Sequence, residues 1–241
     1  MKIPFYQHSY STVRVFSGYG LLTISLVFIR TTPIFPDISG MAKKLPLSFY
    51  RQDDVTSIAR QLLGKVLVTS IDNVRTAGVI VETEAYAGIR DRASHAWNNR
   101  RTQRTEVMYQ PGGLAYVYLC YGLHYLFNVV TNVKEVPEAI LVRALEPLDG
   151  IAAMQHRYPH KNTVKMTAGP GSLCKALGID AALNGEQLTG NRIWIENAPA
   201  IADAQILAGT RVGVQYAGAD ALLPYRFSIK DNKWVSKGKG L

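Results

Sequence analysis

Cysteine is scarce: Cys120 and Cys174 are the only two in 241 residues. Neither belongs to a Cys-x-x-Cys pair, so a zinc site is not expected. Both lie in apolar or helical sequence, and two reduced, buried thiols in a reducing compartment are expected. Histidine is nearly as sparse. His156 and His160 are four apart, but Pro159 stands between them and no glutamate follows His156, so the helical metal-binding pattern fails. Gly169-Pro-Gly171 lacks the Gly-Lys-Ser/Thr ending of a Walker loop. It reads either as a tight turn or as a helix start that offers backbone N–H groups to a phosphate. Acidic residues are outnumbered by basic ones, 18 to 27, for a net charge of +9. That imbalance suits a polyanionic partner such as nucleic acid, an anionic membrane surface, or simply a solvated surface. The densest apolar run, Gly20–Ile29, is shorter than the roughly 20 residues that a bilayer span needs.

Strong charge is also missing at the start of the chain, where Lys2, Arg14 and Arg30 are the only charged residues before Asp37. The stretch has signal-peptide length without an Ala-x-Ala-like cleavage site, and its acid-poor, Arg- and Ser-containing composition also fits an organelle transit peptide. Met41-Ala-Lys-Lys44 reads as an alternative start. Residues 1–40 are set apart as an N-terminal extension, disordered or absent from the mature protein, and residues 45–236 form a single domain. A start at Met41 or any untargeted start implies a cytoplasmic, nucleoid-associated bacterial protein. Organellar or nuclear targeting is the other reading of the leader.

With 47% apolar and 19% charged residues, a well-packed core is expected. Asp54–Gly64 reads as an amphipathic helix capped by Asp53 or Asp54. Lys65–Ser70 and Ala77–Tyr86 read as strands joined at Asp72-Asn73. Leu114–Cys120 and Tyr125–Thr131 form the clearest hairpin, with Tyr121 at its tip. Ala139–Ala144 is a further strand that runs toward Pro147, which should stop it. A helix opens at Asp149-Gly150, and another runs from Ser172 to Leu177. Arg192–Glu196, Arg211–Val214 and Tyr225–Ile229 read as short strands. The fold class is therefore α+β in one mixed domain.

The chemistry-bearing residues concentrate at the end of one buried strand. In Val79-Ile-Val-Glu-Thr-Glu-Ala-Tyr86, Glu82, Glu84 and Tyr86 share a face because strand side chains alternate. A carboxylate buried there costs several kcal/mol unless compensated, so each acid is either paired or used. Glu82 and Glu84, ~7 Å apart along a strand, also allow a glycosidase acid–base pair. Gly88–Gln110 is a polar stretch bearing Arg90, Arg92, Arg100, Arg101 and Arg104, a density that favours phosphate contacts over mere solvation. Tyr86, Tyr116, Tyr118, Tyr121 and Tyr125 can pack a core or line a ring-binding site. Tyr121 beside Gly122 at a hairpin tip is exposed, as a chance surface residue or as a wedge for a duplex.

These pieces resemble the 3-methyladenine (alkyladenine) DNA glycosylase family. The resemblance rests on Val81-Glu-Thr-Glu-Ala-Tyr86, Asp91-Arg-Ala-Ser-His95, Met108-Tyr-Gln-Pro-Gly112, Tyr116-Val-Tyr118, Tyr121-Gly122, Asn128, Leu141-Val-Arg-Ala-Leu-Glu-Pro147, Gly169-Pro-Gly171, Arg211-Val-Gly213 and Trp234-Val-Ser236, and it covers about residues 46–236. It implies a curved antiparallel sheet with flanking helices, no cofactor, no metal and no membrane. It further implies a monomer that acts on double-stranded DNA containing damaged purines. By the resemblance Glu84 is the base that deprotonates water, and Arg143 positions the water or the flipped nucleotide's phosphate. Tyr86, His95 and Tyr118 wall the base pocket. Asn128 bars the 2-amino group of guanine, and Tyr121 intercalates. Thr102 and Met108 match positions of the DNA-facing loop, which also holds Arg100 and Arg104. The chain departs from the family at Gln103, Thr105 and Ser172. A nucleic-acid-binding module of the same fold without turnover is the alternative, and the presence of Glu84 speaks against it.

Overall fold

The computed structural model describes residues 10–17, 20–27, 43–159 and 161–238. The chain divides into two compact units, Met1–Gly40 and Met41–Leu241. The first contains an antiparallel hairpin of β1 (Tyr10–Ser17) and β2 (Gly20–Val27), a stretch to which the sequence reading assigned no element.

The second unit is a curled antiparallel sheet with flanking helices, as expected. A short turn of helix, α1 (Leu47–Tyr50), leads into α2 (Val55–Gln61), whose start is capped by the Asp54 carboxylate accepting from Thr56. Val55, Ile58, Ala59, Leu62 and Leu63 are buried. Strand β3 (Val66–Ile71) pairs with the long β4 (Val74–Tyr86) through a two-residue turn. Asp72 and Asn73 both have positive φ there, the backbone that a tight hairpin requires and that these short polar residues tolerate. Next come the hairpin of β5 (Ala115–Cys120) and β6 (His124–Thr131), then β7 (Glu138–Asp149), α3 (Ile151–Arg157), α4 (Thr163–Thr167) and α5 (Pro170–Leu177). Short strands β8 (Ile193–Glu196), β9 (Ile206–Gly209) and β10 (Arg226–Ile229) complete the sheet. Its order is β5-β6-β7-β4-β10-β9, with β3 also on β4 and β8 on β3. β4 is thus central: its first half pairs with β3 and its second half with β10, while β7 covers the other edge. Val79–Val81 are buried, as their apolar run predicts.

Four local expectations are corrected. Pro147 does not stop β7, which continues to Asp149. β6 pairs with β7 only as far as Leu141, so at Pro147 one edge has no strand beside it and a missing N–H breaks no ladder bond there. Arg211–Val214 is not a strand. The buried Arg211 side chain bonds to three other segments, and Gly213 takes a positive φ. Gly88–Gln110 is not a plain loop but is folded by 3-10 turns at Gly88–Arg90, Trp97–Asn99 and Glu106–Tyr109. Of the two thiols only Cys174 is buried, and Cys120 is half-exposed at the end of the β5–β6 hairpin.

Candidate active site

Glu82 and Glu84 are both fully buried, and a pair of compensating bulges puts a cation between them. In the β4–β7 ladder Val81 is the extra residue on β4 and Arg143 the extra residue on β7. A bulge re-aims the side chain it carries. Here Arg143 donates from Nε to Glu82 Oε1 at 2.9 Å, and its Nη1 lies 3.1 Å from Glu84 Oε1. Arg226, paired in register opposite Glu84, donates to Glu82 Oε1 at 2.7 Å. Ser236 adds its N–H to Glu82 Oε2 at 2.8 Å and its hydroxyl to Oε1 at 3.0 Å. Two carboxylates thus face two guanidinium groups in a charge-balanced cluster, which offsets the several kcal/mol that burying each ion would cost. Glu82 is thus engaged on both oxygens by two guanidinium groups and Ser236.

Glu84 is held differently. Its Oε1 accepts the Val212 N–H at 2.7 Å, and Oε2 accepts the Tyr86 hydroxyl at 3.0 Å. Burial pushes its carboxyl above the usual range, while Arg143, the Val212 N–H and the Tyr86 hydroxyl pull it back. A carboxylate raised in this way is a stronger base than one in water.

A cavity of about 520 Å³ lies beside this cluster and is lined by Tyr86, His95, Tyr116, Tyr118, Asn128 and Arg143, among others. His95, Tyr116 and Tyr118 form an aromatic nest: His95 meets Tyr118 edge-on at 4.7 Å, and the two tyrosines lie 5.3 Å apart. Arg104 Nη2 lies 3.3 Å from His95 Nε2. A guanidinium can only donate, so Nε2 accepts, and Nδ1–H donates to the Tyr116 hydroxyl at 2.9 Å. Burial, then Arg104 and Arg100, lowers the His95 pKa to about 4, so the imidazole is neutral. Asn128 is buried and donates from Nδ2 to the Tyr116 carbonyl at 3.1 Å. Of the sequence-predicted residues, Arg143, Tyr86, His95, Tyr118, Asn128, Met108, Tyr121 and Arg104 line this one cavity, and Glu84 lies directly behind its wall, in contact with the lining residues Arg143, Tyr86 and Val212.

Tyr121 stands at the cavity rim, 92% exposed at the β5–β6 tip, with φ of 51°. A tyrosine in the left-handed region costs about 1–2 kcal/mol and gains no packing in return. Thr102 and Arg100 are exposed on the loop, where the Thr105 hydroxyl accepts the Thr102 N–H and donates to the Arg100 carbonyl. Met108 does not face outward as its loop position suggested. It is buried in a cluster with Ala96, Tyr109, Tyr116, Val130 and Ala139, and supports the cavity wall from beneath. Arg101 is also committed, paired with Glu106 and Glu135.

Sequence reading missed the Arg211–Asp91 pair. Both side chains are buried, and Arg211 also donates to the carbonyls of Ala85 and Asp220 while Asp91 accepts the N–H groups of Ala87 and Ala93. The pair ties the His95 wall to the loop that brings Val212 to Glu84. An arginine inside an apolar run is a hint of such burial, because it demands an acid partner. The Val212 N–H had no signal at all, since every non-proline residue carries one. Among the described residues no group of three His, Cys, Asp or Glu could hold a metal ion, and no helix is long and apolar enough to cross a membrane. His160 lies outside the described residues.

The profile of the methylpurine-DNA glycosylase family matches residues 48–233. Curated relatives named "Putative 3-methyladenine DNA glycosylase" include one from Desulfitobacterium hafniense, 42% identical over 202 residues, which span 80% of this chain and 98% of the relative. Another, from Chlamydia felis, is 44% identical over 195 residues, or 79% of this chain and all of the relative. A third, from Bacillus cytotoxicus, is 40% identical over 204 residues, 80% and 100% of the two chains. The fold, the site and these matches define a DNA glycosylase, a hydrolase of DNA repair. Within that class the chain belongs to the methylpurine-DNA glycosylase family.

Proposed function

We propose that the chain removes damaged purines from double-stranded DNA by hydrolysing the N-glycosidic bond with a water activated by Glu84, after the base has flipped into the tyrosine-lined cavity. The observation that carries this reading is one buried carboxylate, Glu84, held directly behind the wall of an aromatic cavity by Arg143, the Val212 N–H and Tyr86, all three of which line that cavity. Glu82 is engaged by two arginines and Ser236, which counts against the two-carboxylate glycosidase alternative.

In the proposed step the water oxygen attacks C1′ as the C1′–N bond breaks. The bonding pair leaves with the base, and the water's proton passes to Glu84. The products are the free base and an abasic sugar. An N-alkylated purine is cationic at the start and leaves neutral, so it needs little acid catalysis. A positioned base contributes roughly 10²–10⁴-fold. The Glu84 charge also favours positive charge on the sugar in the transition state. Arg143 orients the water or the flipped nucleotide's phosphate, and Tyr86, His95 and Tyr118 hold the base. Asn128 excludes the 2-amino group of guanine, and Tyr121 fills the gap in the duplex. Arg100, Arg104 and Thr102 contact the backbone. No lysine belongs to this set, so strand cleavage through a Schiff base is not expected. The substrates proposed are 3-methyladenine, the base in the relatives' names, together with 7-methylguanine and deaminated or etheno purines. A monomer, cytoplasmic action and residues 45–236 as the whole catalytic domain complete the reading.

The test is Glu84→Gln, which keeps size and neutralises the base. The variant should bind a duplex carrying one of these lesions but release no base. Base release at the wild-type rate would remove Glu84 from the mechanism.

A further inference from the structure

Arg104 is exposed, yet its guanidinium lies over the ring of Tyr118 at 4.5 Å, against His95, and on the cavity wall. Its charge is uncompensated. Among the described residues no carboxylate pairs with Arg104, whereas the neighbouring Arg101 is held by Glu106 and Glu135. The other arginines in contact with the cavity wall are matched by acids. Arg143 and Arg226 balance Glu82 and Glu84, and Arg211, 5.0 Å from the ring of Tyr86 on another wall, is neutralised by Asp91. Among the described residues that line the cavity, Arg104 is therefore the one cation without a carboxylate partner, at the aromatic end; Arg100 adds to the positive potential at His95 from outside the lining.

On breaking the glycosidic bond a purine always loses one unit of positive charge. An alkylated base goes from cation to neutral, and an unprotonated neutral base goes to an anion. A fixed cation beside the base favours the second state over the first in both cases. We propose that Arg104 supplies this potential: it draws the bonding electrons into the leaving base and so sets the rate of base release, in addition to any phosphate contact. Arg104 is a charge-placing residue, acting across the Tyr118 ring and through His95. Its hold on His95 Nε2 serves the same end. With Nε2 accepting from Arg104, the imidazole stays neutral and does not become a second, titrating cation on the wall. The same charge repels a cationic base before cleavage, so it does not promote binding. This asymmetry separates it from a phosphate clamp.

The inference rests on the glycosylase reading, and its test is arranged so that the two can fail separately. Single-turnover base release is measured with enzyme in saturating excess over duplexes carrying hypoxanthine or 7-methylguanine, for the wild type, Arg104→Gln and Arg104→Lys. Duplex affinity is measured in parallel. Arg104→Gln should be about tenfold slower at saturation, about 1.4 kcal/mol of barrier. Arg104→Lys should retain most of the rate, because it retains the charge. An unchanged saturating rate in Arg104→Gln, with only weaker binding, would reduce Arg104 to a phosphate contact and overturn the inference. So would Arg104→Lys as slow as Arg104→Gln, which would make shape rather than charge the relevant property. A wild type that releases neither these bases nor 3-methyladenine would sink the glycosylase reading instead.

Discussion

Tyr121 offers a prediction in which stability and activity move in opposite directions. Its φ of 51° places a bulky residue in the left-handed region, and its ring is 92% exposed, so the folded state gains almost nothing from it. The backbone cost is about 1–2 kcal/mol. Asparagine tolerates this conformation and avoids the extra unfolded-state entropy of glycine. Tyr121→Asn should therefore stabilise the protein by about 1 kcal/mol. For a domain of 150–250 residues that corresponds to about 2–4 °C in melting temperature. The loss should appear on DNA. If the ring fills the gap left by a flipped base, removing it forfeits one stacking contact, about 1–3 kcal/mol. Flipping in duplex DNA should weaken by about five- to 150-fold, with far less effect on single strands, where no gap opens. Thermal unfolding and paired base-release assays on duplex and single-stranded substrates measure both arms. A lower melting temperature would show that the ring supports the fold, and equal losses on both substrates would refute the wedge. Strain kept at an exposed aromatic is otherwise hard to account for on stability grounds.

Other expectations follow from the carboxylate cluster. Glu84 must be ionised to accept a proton, and burial raises its pKa, so enzymatic kcat/KM should fall as pH drops through a value above the ~4.3 of an ordinary glutamate. An acid limb below about 4 would mean that the essential base is another group or that Glu84 is not desolvated. Glu82→Gln removes the shared partner of Arg143 and Arg226 and should cost about 3 kcal/mol in denaturant unfolding, as breaking a buried pair does. The fraction that remains folded should still release base, because Glu84 keeps Arg143 and the Val212 N–H. Loss of base release in fully folded Glu82→Gln protein would give Glu82 a chemical role.

The roles of the two acids show how far local sequence reaches. Alternation along β4 puts Glu82, Glu84 and Tyr86 on one face, and an apolar run before them predicts their burial. The sequence points to Glu84 as the working acid and to Glu82 as a structural one, but the partners of Glu82 are not legible, because Arg226 and Ser236 lie more than 140 positions away. Arg143 was placed by resemblance. Its aim comes from a one-residue slip in the β4–β7 ladder, and a bulge is a property of two strands together. The apolar neighbours of Arg211 predict a strand for the same kind of reason: its acid partner, Asp91, lies in another loop.

What the sequence determined by itself is what neighbours in the chain can enforce. It set the strand period that gathers the acids, the Asp72-Asn73 turn, the helix capped by Asp54, and the β5–β6 hairpin that lifts Tyr121 to its tip. What only the tertiary structure decided is the electrostatics. Compensating bulges bring Arg143 between Glu82 and Glu84, the Arg211–Asp91 pair carries Val212 to Glu84, and the fold leaves Arg104 without a carboxylate over Tyr118. Period and turn propensity act over a few residues. The state of a buried charge depends on every group within several ångströms, and the chain brings those groups together only when it folds.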